Sequence, residues 1–578
     1  MKFPGYTITS IFISITLGLI PILKAITIQK MLDVFTSMPS INSDMVKNFL
    51  ILVFTFILLF LISCALDTLL TYIQDMYFGT KLVNELQYDF TSIIKSTPLI
   101  LQETPAFYDN RKRAQDNIKF VPLSFFVFLE MLRSSIEIIF VILLLGRYDF
   151  LLSIIAILSL LPTIISYMRR GKEFYKLHLR QSKNKKFLDY IWSLFSKKST
   201  VKEVRVLCAD EHLKNLWRKT NISNAKEAEI FNKKEIRSKC LSDVFKTIGY
   251  VAGILFALLI LSQNNITASE LGVSIFLFGG LQNAISNLFF GINKFSKLTV
   301  LANNFYDFFE KYKRDATEKS IEGKLLPENG SIIVKNISFK YPNSERYALE
   351  NVSFDINDGE NVVILGENGS GKTTLAKILL GLYMPSTGTI TYGNLDFFKT
   401  NFQKHLVAVM QNFTKYSFTV RENIAISDYS QIENNNRIIN VLNLICPDNK
   451  LFKDNLDKVI GEDFGDVNFS GGEWQKIAIA RVLFKESAKI IILDEPTSAL
   501  DPLSEHKILQ QFLNKESKKT SIIISHRIGI CKHADKIIIL KKGKIFDIGT
   551  HDELMNKNPN YEKMYMEQQK WYYDNSQN

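Results

Sequence analysis

Cysteine is scarce in this sequence, and the number and spacing of the cysteines exclude a disulfide framework and a zinc site. The chain of 578 residues holds five cysteines, an odd number, and no two of them form a CxxC pair. A disulfide framework or a structural zinc site needs paired, suitably spaced cysteines. We therefore expect ordinary reduced thiols at Cys64, Cys208, Cys240, Cys446 and Cys531.

A basic surplus is missing from most of the chain, although the formal net charge is +12. Residues 169–240 hold 20 Lys and Arg against 8 Asp and Glu, so this one segment accounts for the whole imbalance. It lies between two hydrophobic stretches, where the positive-inside rule expects a cytoplasmic loop of a membrane protein. The charge therefore does not indicate nucleic-acid binding, and we expect no nucleic-acid partner.

The N-terminal region lacks the features of a cleavable signal peptide, because its first apolar stretch is too long and is followed by others. About 20 apolar residues cross a bilayer as a helix. Six stretches reach that length: 7–29, 48–73, 121–145, 149–168, 241–262 and 271–296. The connections 74–120 and 169–240 are long and basic, which predicts that they and both chain ends lie on the cytoplasmic side of the cytoplasmic (inner) membrane.

The composition changes after the last apolar stretch. Residues 311–330 are polar and predict a linker, and residues 331–560 alternate short β-rich runs with helical patterns. Such alternation is typical of an α/β domain with a largely parallel sheet. We therefore predict an all-α, six-helix membrane domain over 1–310, the linker, the α/β domain, and a C-terminal tail over 561–578.

The sequence "GENGSGKTT" (366–374) fits the phosphate-loop pattern GxxxxGK[ST], with the strand "NVVIL" before it and the helical "LAKILLGL" after it. Successive backbone N–H groups of such a loop wrap phosphates, the lysine supplies a cation, and the hydroxyl ligates magnesium. We expect Lys372 and Thr373 in the last two roles. The predicted nucleotide-binding residues of this loop are Gly366, Glu367, Asn368, Gly369, Ser370, Gly371, Lys372, Thr373 and Thr374.

A second motif, "KIIILDEP" (489–496), is an apolar run that ends in two acids. A strand buried on both faces delivers such acids to the carboxyl edge of a parallel sheet, beside the phosphate loop. We expect Asp494 to bind magnesium through a water molecule. Glu495 is the candidate that polarises the attacking water.

A third motif lies in "DVNFSGGEWQKIAIARVLF" (466–484), where Ser470, Gly471 and Gly472 precede a helical run and Glu473 follows them. A helix N-terminus with exposed N–H groups suits a phosphate. The three motifs together resemble those of ATP-binding cassette (ABC) transporters, whose signature is usually LSGGQ. The resemblance implies ATP and Mg²⁺ as ligands, the type IV ABC exporter architecture, and a signature loop that closes on the γ-phosphate bound to a second subunit.

Further residues match this family in its order of motifs. By resemblance, Tyr341 stacks on adenine, Gln411 links the magnesium site to the membrane domain, Asp501 of "SALD" lies in the D-loop, and His526 contacts the γ-phosphate. The loop "VIGEDFG" (459–465) resembles the segment that contacts the transmembrane helices in exporters. Glu495, His526 and Gln411 are thus the candidate catalytic residues, and Thr373, Gln411 and Asp494 the candidate magnesium ligands.

The membrane half resembles that of a half-transporter, which must pair to complete two ATP sites. A homodimer is the default, and a heterodimer with another chain is the alternative. By position, the coupling segments should lie near 105–114 and 203–213. Five polar residues in the spans have three interpretations, namely internal pairing, a position beyond the membrane surface, or a cavity wall for a substrate with cationic groups: Glu130, Arg133, Glu137, Asn283 and Asn287.

The substrate is predicted from resemblance alone. The stretches "FYDNRKRAQ" and "KEVRVLCADEHL", with the signature form "FSGGEWQKIAIAR", are similar to lantibiotic exporters. A span that begins near residue 7 leaves no room for an N-terminal peptidase domain, so we expect another enzyme to remove any leader. The alternatives are a lipid or multidrug exporter, a soluble cassette ATPase of translation or repair, and an ATP-gated regulator that transports nothing.

Overall fold

The computed structural model describes residues 3–36, 43–263, 266–317, 330–342, 344–400, 402–446, 452, 454–461, 467–496, 505, 508–509, 512–513 and 519–574. The chain forms two compact units. The first unit combines Met1–Lys95 with Asp109–Tyr312, and the second combines Ser96–Tyr108 with Lys313–Asn578. The short segment Ser96–Tyr108 therefore belongs structurally to the second unit, although it lies within the region predicted as the membrane domain.

All regular elements of the first unit are helices in the residues that the structure describes. Its helices are Pro4–Thr36, Ser43–Ser96, Pro105–Asn117, Phe120–Tyr148, Phe150–Ser159, Leu161–Ser196, Lys198–Val206, Asp210–Ser262 and Ala268–Thr317, and the second of them contains a π-helical stretch at Gln74–Leu82. Each of the six predicted spans falls on one or two of these helices.

Four helices in the described residues are long and apolar enough to cross a membrane, and the bent pair Phe150–Ser159 and Leu161–Tyr167 raises the number to as many as five. Helix Phe120–Tyr148, which carries the third predicted span 121–145, is not among them. Within that span the three charges at Glu130, Arg133 and Glu137 lower the apolar character of the helix. For this helix the crossing stays a prediction.

Close helix packing in the first unit depends on small residues. A Cβ at Gly253 would lie 2.6 Å from the ring of Phe278, and one at Gly249 would lie 2.0 Å from the Cβ of Ser159. Small residues allow helix backbones to approach closely, which is the usual basis of packing between membrane helices. Helix Asp210–Ser262 is thereby held against both of its neighbours.

The second unit contains two sheets. Their strands are β1 Ile332–Lys340, β2 Tyr347–Ile356, β3 Asn361–Gly366, β4 Thr387–Tyr392, β5 Leu395–Asp396, β6 Leu406–Val409, β7 Ile490–Asp494, β8 Thr520–Ile524, β9 Lys536–Lys541 and β10 Lys544–Gly549. One sheet has the antiparallel order β2-β1-β4-β5, and the other has the order β10-β9-β3-β8-β7-β6. The second sheet is parallel except for β10, which confirms the predicted α/β class.

Helices cover these sheets. They are Leu99–Gln102, Lys372–Leu379, Val420–Ala425, Asn435–Ile445, Gly471–Phe484, His551–Lys557 and Pro559–Asp574, with 3₁₀ turns at Phe397–Lys399, Phe402–His405, Tyr429–Gln431 and Ile528–His533. Strands β7 and β8 are buried over their whole length, as is β3 up to its last residue. The carboxyl ends of these three parallel strands meet at one edge, where a ligand site is expected.

The segment Ser96–Tyr108 packs on the second unit through both apolar and charged groups. Leu99 and Ile100 lie against the apolar core between the two sheets. The carboxylate of Glu103 accepts hydrogen bonds from Lys377, at 2.9 Å, and from the hydroxyl of Tyr383. The residues that make these contacts, Leu99, Ile100 and Glu103, precede the predicted coupling segment 105–114. The coupling role of that segment stays a prediction.

The second predicted coupling segment, 203–213, spans the end of helix Lys198–Val206 and the start of helix Asp210–Ser262. Between them Cys208 adopts a left-handed φ of 49°. Val206 and Leu207, just before it, are 81% and 66% exposed. An apolar pair therefore lies on the surface of the first unit at the predicted position.

Candidate nucleotide-binding site

The phosphate loop connects β3 to helix Lys372–Leu379. Gly371 caps this helix with a left-handed φ of 103°, and a Cβ there would lie 2.7 Å from the carbonyl oxygen of Ala348. Only glycine fits both constraints. The loop backbone therefore wraps tightly around the start of the helix, as phosphate binding requires.

Lys372 extends back over this loop. Its Nζ donates to the carbonyl oxygens of Gly366, at 2.6 Å, and Glu367, at 3.0 Å. Burial lowers the pKa of Lys372, while the nearby carboxylates of Glu495 and Asp494 act to raise it. The ammonium is thus held at the centre of the loop, between the backbone and two acids.

Asp494 is 2% exposed at the end of β7. Burial, and then the neighbouring charge of Glu495, raise the pKa of Asp494 to about 6, while Lys372 opposes this shift. Within the described part of the chain, the buried Asp494 Oδ2 and Ser370 Oγ have no hydrogen-bond partner. A buried carboxylate oxygen without a donor fits a hard cation, so the residues present are suited to Mg²⁺ beside bound phosphates.

Glu495 brings the candidate catalytic residues together. Its Oε2 accepts a hydrogen bond from Gln411 Nε2 at 2.8 Å, and its Oε1 lies 3.2 Å from His526 Nδ1. Its backbone N–H donates to Ile524 on β8, and its φ of 48° is left-handed, which costs about 1–2 kcal/mol for a residue with a side chain. The fold therefore holds this carboxylate in a fixed and strained position.

Tyr341 reaches the same site from the end of β1. Its hydroxyl is 2.9 Å from Thr374 Oγ1, and its ring stands edge-on to Phe339 and Tyr383. It lines a cavity of 890 Å³ with eight other predicted residues, namely Asn368, Gly369, Gly371, Lys372, Thr373, Thr374, Gln411 and Glu495. At least one residue from each of the predicted adenine, phosphate, metal and catalytic groups thus lines one cavity, whereas Asp494 and His526 are not among its lining residues.

Sequence reasoning missed five residues that line this cavity. They are Arg346, Tyr347 and Ala348, at the start of β2, and Lys542 and Gly543, in the turn between β9 and β10. Each is distant in sequence from the phosphate loop and lies in no recognised motif. The only local signal is the Lys-Gly pair, which predicts a tight turn and says nothing about what the turn contacts.

The signature residues do not line this cavity. Ser470 caps helix Gly471–Phe484, and its Oγ accepts from the backbone N–H of Glu473 at 3.3 Å. In return, Glu473 Oε2 accepts from the N–H of Ser470 at 2.8 Å, which completes a capping box. This accounts for an acid where the family usually has glutamine, because a carboxylate makes the cap and is favoured near a helix N-terminus.

Arg481 joins the signature helix to the segment that follows Gln411. Its guanidinium lies 4.8 Å from the centre of the Tyr416 ring and donates to the carbonyl oxygens of Thr414 and Asn423. Burial lowers the pKa of Arg481 to about 10. A charge held by several acceptors in a buried position ties the two elements together.

Some predicted residues lie outside the described residues. These include Asp501 with the rest of the D-loop, and residues 462–465 of the loop predicted to contact the transmembrane helices. Their roles stay predictions.

The polar residues in the predicted spans mostly have partners within the first unit. Glu130 pairs with Lys294 at 3.7 Å, Arg133 pairs with Asp67 at 2.8 Å, and Asn283 accepts from Lys246 at 2.8 Å. These contacts favour internal pairing for Glu130, Arg133 and Asn283. Asn287 is exposed on helix Ala268–Thr317. Glu137 makes no hydrogen bond or ion pair with a described residue.

The comparisons with known proteins agree with this geometry. Residues 349–498 match the family model described as ABC transporter. A solved structure, a bacterial Atm1-family ABC exporter with ATP bound, superposes with a TM-score of 0.79 at 19% identity and covers 98% of each chain. The chain therefore has an ABC transporter ATPase domain, which couples ATP hydrolysis to transport, and the fold of an ABC exporter half-transporter.

Two bacterial relatives carry the similarity further. The chain is 27% identical over 564 residues to the subtilin transport ATP-binding protein SpaT of Bacillus subtilis, which covers 95% of this chain and 90% of that protein. It is 39% identical over 280 residues to the nisin transport ATP-binding protein NisT of Lactococcus lactis subsp. lactis, which covers 46% of each. The predicted ABC exporter class, with lantibiotic transport proteins among its relatives, is confirmed.

The capping box gives a prediction about the signature helix. Glu473→Ala removes the acceptor for the Ser470 N–H, so we expect it to destabilise the protein by about 1 kcal/mol. Glu473→Gln keeps an acceptor, and we expect a loss within about 0.5 kcal/mol. Unfolding followed by tryptophan fluorescence measures both, since Trp474 is buried in this helix.

Glu553→Ala is the matched control, because Thr550 and Glu553 form the same kind of capping box at helix His551–Lys557. A stability of Glu473→Ala equal to that of the wild type would show that the signature cap contributes nothing.

Proposed function

We propose that this protein is a homodimeric ATP-driven exporter of a lantibiotic-type peptide in the cytoplasmic (inner) membrane. The cassette and both chain ends lie in the cytoplasm. The observation that carries the peptide substrate is the similarity to the subtilin transport protein over 95% of this chain. The ATP-dependent mechanism is supported by the cluster of Lys372, Asp494 and Glu495 at one edge of the parallel sheet.

Each residue of the site has a separate role in the transfer of the γ-phosphoryl group to water. The loop N–H groups and Lys372 neutralise the β- and γ-phosphates. Thr373, Gln411 and Asp494 would hold Mg²⁺, which neutralises the charge that develops on the phosphates. Glu495 orients the attacking water and accepts its proton, while His526 contacts the γ-phosphate.

A second copy of the chain completes the site. Ser470 and Gly471 are exposed and belong to a helix that is not part of the wall of their own nucleotide cavity. The first N–H groups of a helix have no intrahelical acceptor and attract an anion. In a homodimer the signature helix of each copy binds the γ-phosphate held by the other, so ATP closes the dimer and its hydrolysis reopens it.

The segment Ser96–Tyr108 supports coupling between the nucleotide site and the membrane helices. Lys377, which binds Glu103, lies on the helix that begins with Lys372. Burial acts to raise the pKa of Glu103, yet the hydrogen bonds from Tyr383 and Lys377 outweigh it and lower the pKa below its ordinary value. Burial and Glu103 raise the pKa of Tyr383 to about 12. We infer that movement of the phosphate-loop helix displaces this segment, which follows helix Ser43–Ser96 in the chain.

The role of Glu495 gives the direct test of the ATPase mechanism. In Glu495→Gln the side chain keeps its size and its contacts but cannot accept a proton from water. We expect steady-state ATP hydrolysis to fall by a factor of about 100 or more, and ATP to hold the dimer closed. Phosphate release and nucleotide-dependent cross-linking of the two cassettes measure these effects.

Glu433→Gln is the control, because Glu433 is exposed and does not line the cavity. This variant should hydrolyse ATP at the wild-type rate. Wild-type hydrolysis in Glu495→Gln would overturn the assignment of the catalytic base.

The substrate is tested by ATP-dependent uptake into inside-out proteoliposomes, with a cationic lantibiotic precursor peptide, a labelled lipid and a cationic drug as alternatives. We expect uptake of the peptide. Glu137→Gln should reduce that uptake several-fold, because this carboxylate makes no hydrogen bond or ion pair with a described residue and only the charge of Arg133 acts on it, so that it can bind a cationic group. ATP hydrolysis without substrate should stay at the wild-type rate.

Glu130→Gln is the matched variant on the same helix face, where Lys294 already pairs with the carboxylate. Uptake of peptide by both variants at the wild-type rate would contradict the hypothesis that these carboxylates bind a cationic substrate. Uptake of lipid or drug in place of peptide would establish the alternative exporter class.

A further inference from the structure

The turn between β9 and β10 is attached to the phosphate loop. The N–H of Gly543 donates to the carbonyl oxygen of Ser370 at 3.0 Å, and the carbonyl oxygen of Gly543 accepts from the N–H of Glu350 at 2.8 Å. A Cβ at Gly543 would lie 2.8 Å from the carbonyl oxygen of Ala348. The turn is therefore fixed against both the loop and β2, and its position follows that of the nucleotide site.

The lysine before this glycine is in an unfavourable conformation. Lys542 has a φ of 52°, in the left-handed region, where glycine, asparagine or aspartate is sterically easier to accommodate. The turn geometry alone therefore gives no reason for a lysine here.

Three lysines in or next to this turn have different surroundings. The Nζ of Lys541 lies 5.2 Å from the centre of the Phe546 ring, and that of Lys544 lies 3.2 Å from the carboxylate of Glu350. Lys542 lines the 890 Å³ nucleotide cavity. No hydrogen bond or ion pair joins its side chain to another residue that the structure describes. Of the three ammonium groups, only this one is available to a ligand in the cavity.

Arg346 lines the same cavity from the connection between β1 and β2. Its side chain also makes no hydrogen bond or ion pair with a described residue. Among the described residues that line the cavity, Arg346, Lys372 and Lys542 are cations and Glu495 is the anion. An excess of positive charge in a concave site favours a polyphosphate ligand.

We propose that Lys542 and Arg346 bind the phosphate chain of the nucleotide, in addition to the residues of the phosphate loop. They raise the affinity for ATP and ADP alike and take no part in the bond-breaking step. This inference rests on the proposed function of the cavity as the ATP site. It adds two binding residues from parts of the chain that carry no nucleotide motif.

The test is equilibrium binding of ATP and ADP to the full-length protein in lipid nanodiscs, without turnover. Lys542→Asn removes the ammonium and introduces a residue that suits the left-handed turn, so the melting temperature should be unchanged or higher. We expect the Kd of each nucleotide to rise about tenfold in Lys542→Asn and in Arg346→Gln. The dependence of Kd on salt should become weaker in both.

Lys541→Asn and Lys544→Asn make the same change of charge one and two residues away, outside the cavity, and should bind nucleotide as the wild type does. Equal weakening in these controls, or an unchanged Kd in both Lys542→Asn and Arg346→Gln, would overturn the inference.

Lys372→Ala separates this inference from the proposed function. If Lys372→Ala loses nucleotide while Lys542→Asn and Arg346→Gln keep it, the cavity is the ATP site and only the added role of the two cations is wrong. If Lys372→Ala also keeps its affinity, the cavity is not the nucleotide site and both proposals fail.

Discussion

The nucleotide site of the second unit depends on bringing two acids and one lysine together at the edge of a parallel sheet. Burial disfavours the charged forms of Asp494 and Lys372, which is why the pKa of the first is raised and that of the second lowered. Strands buried on both faces supply the rigidity that this arrangement needs. The same strands place Glu495 in a strained conformation between Gln411 and His526, so that its carboxylate is positioned before any ligand arrives.

The nucleotide cavity is lined by residues of one chain, and none of them belongs to the signature helix Gly471–Phe484. Its capping box fixes the helix N-terminus, and Arg481 fixes the same helix to the segment that follows Gln411. Packed and charged contacts therefore join the signature helix to the segment that follows the catalytic Gln411. Hydrogen bonds from Lys377 and Tyr383 to Glu103 join the phosphate-loop helix to the segment that follows helix Ser43–Ser96.

The sequence was most informative where function needs a local pattern. The phosphate loop and the acids after β7 could be predicted because their chemistry requires fixed residue types at fixed spacing. Arg346 and Lys542 could not, because they reach the cavity only through contacts between distant turns. A coupling segment is predicted near 105–114 and stays a prediction, whereas the packing of Leu99 and Ile100 on the second unit was not predicted. Likewise, the pairs Glu130–Lys294 and Arg133–Asp67 depend on helix packing that no helical periodicity reveals.

The central claim is that each ATP site is shared between two copies of this chain. We would co-express a Lys372→Ala chain and a Ser470→Arg chain with different tags, and purify the mixed dimer through both tags. If the sites are shared, both ATP sites of each parental dimer are defective. The mixed dimer has one intact site, formed by Lys372 of one copy and Ser470 of the other, and we predict that it hydrolyses ATP faster than either parent. A mixed dimer no more active than its parents would contradict the account.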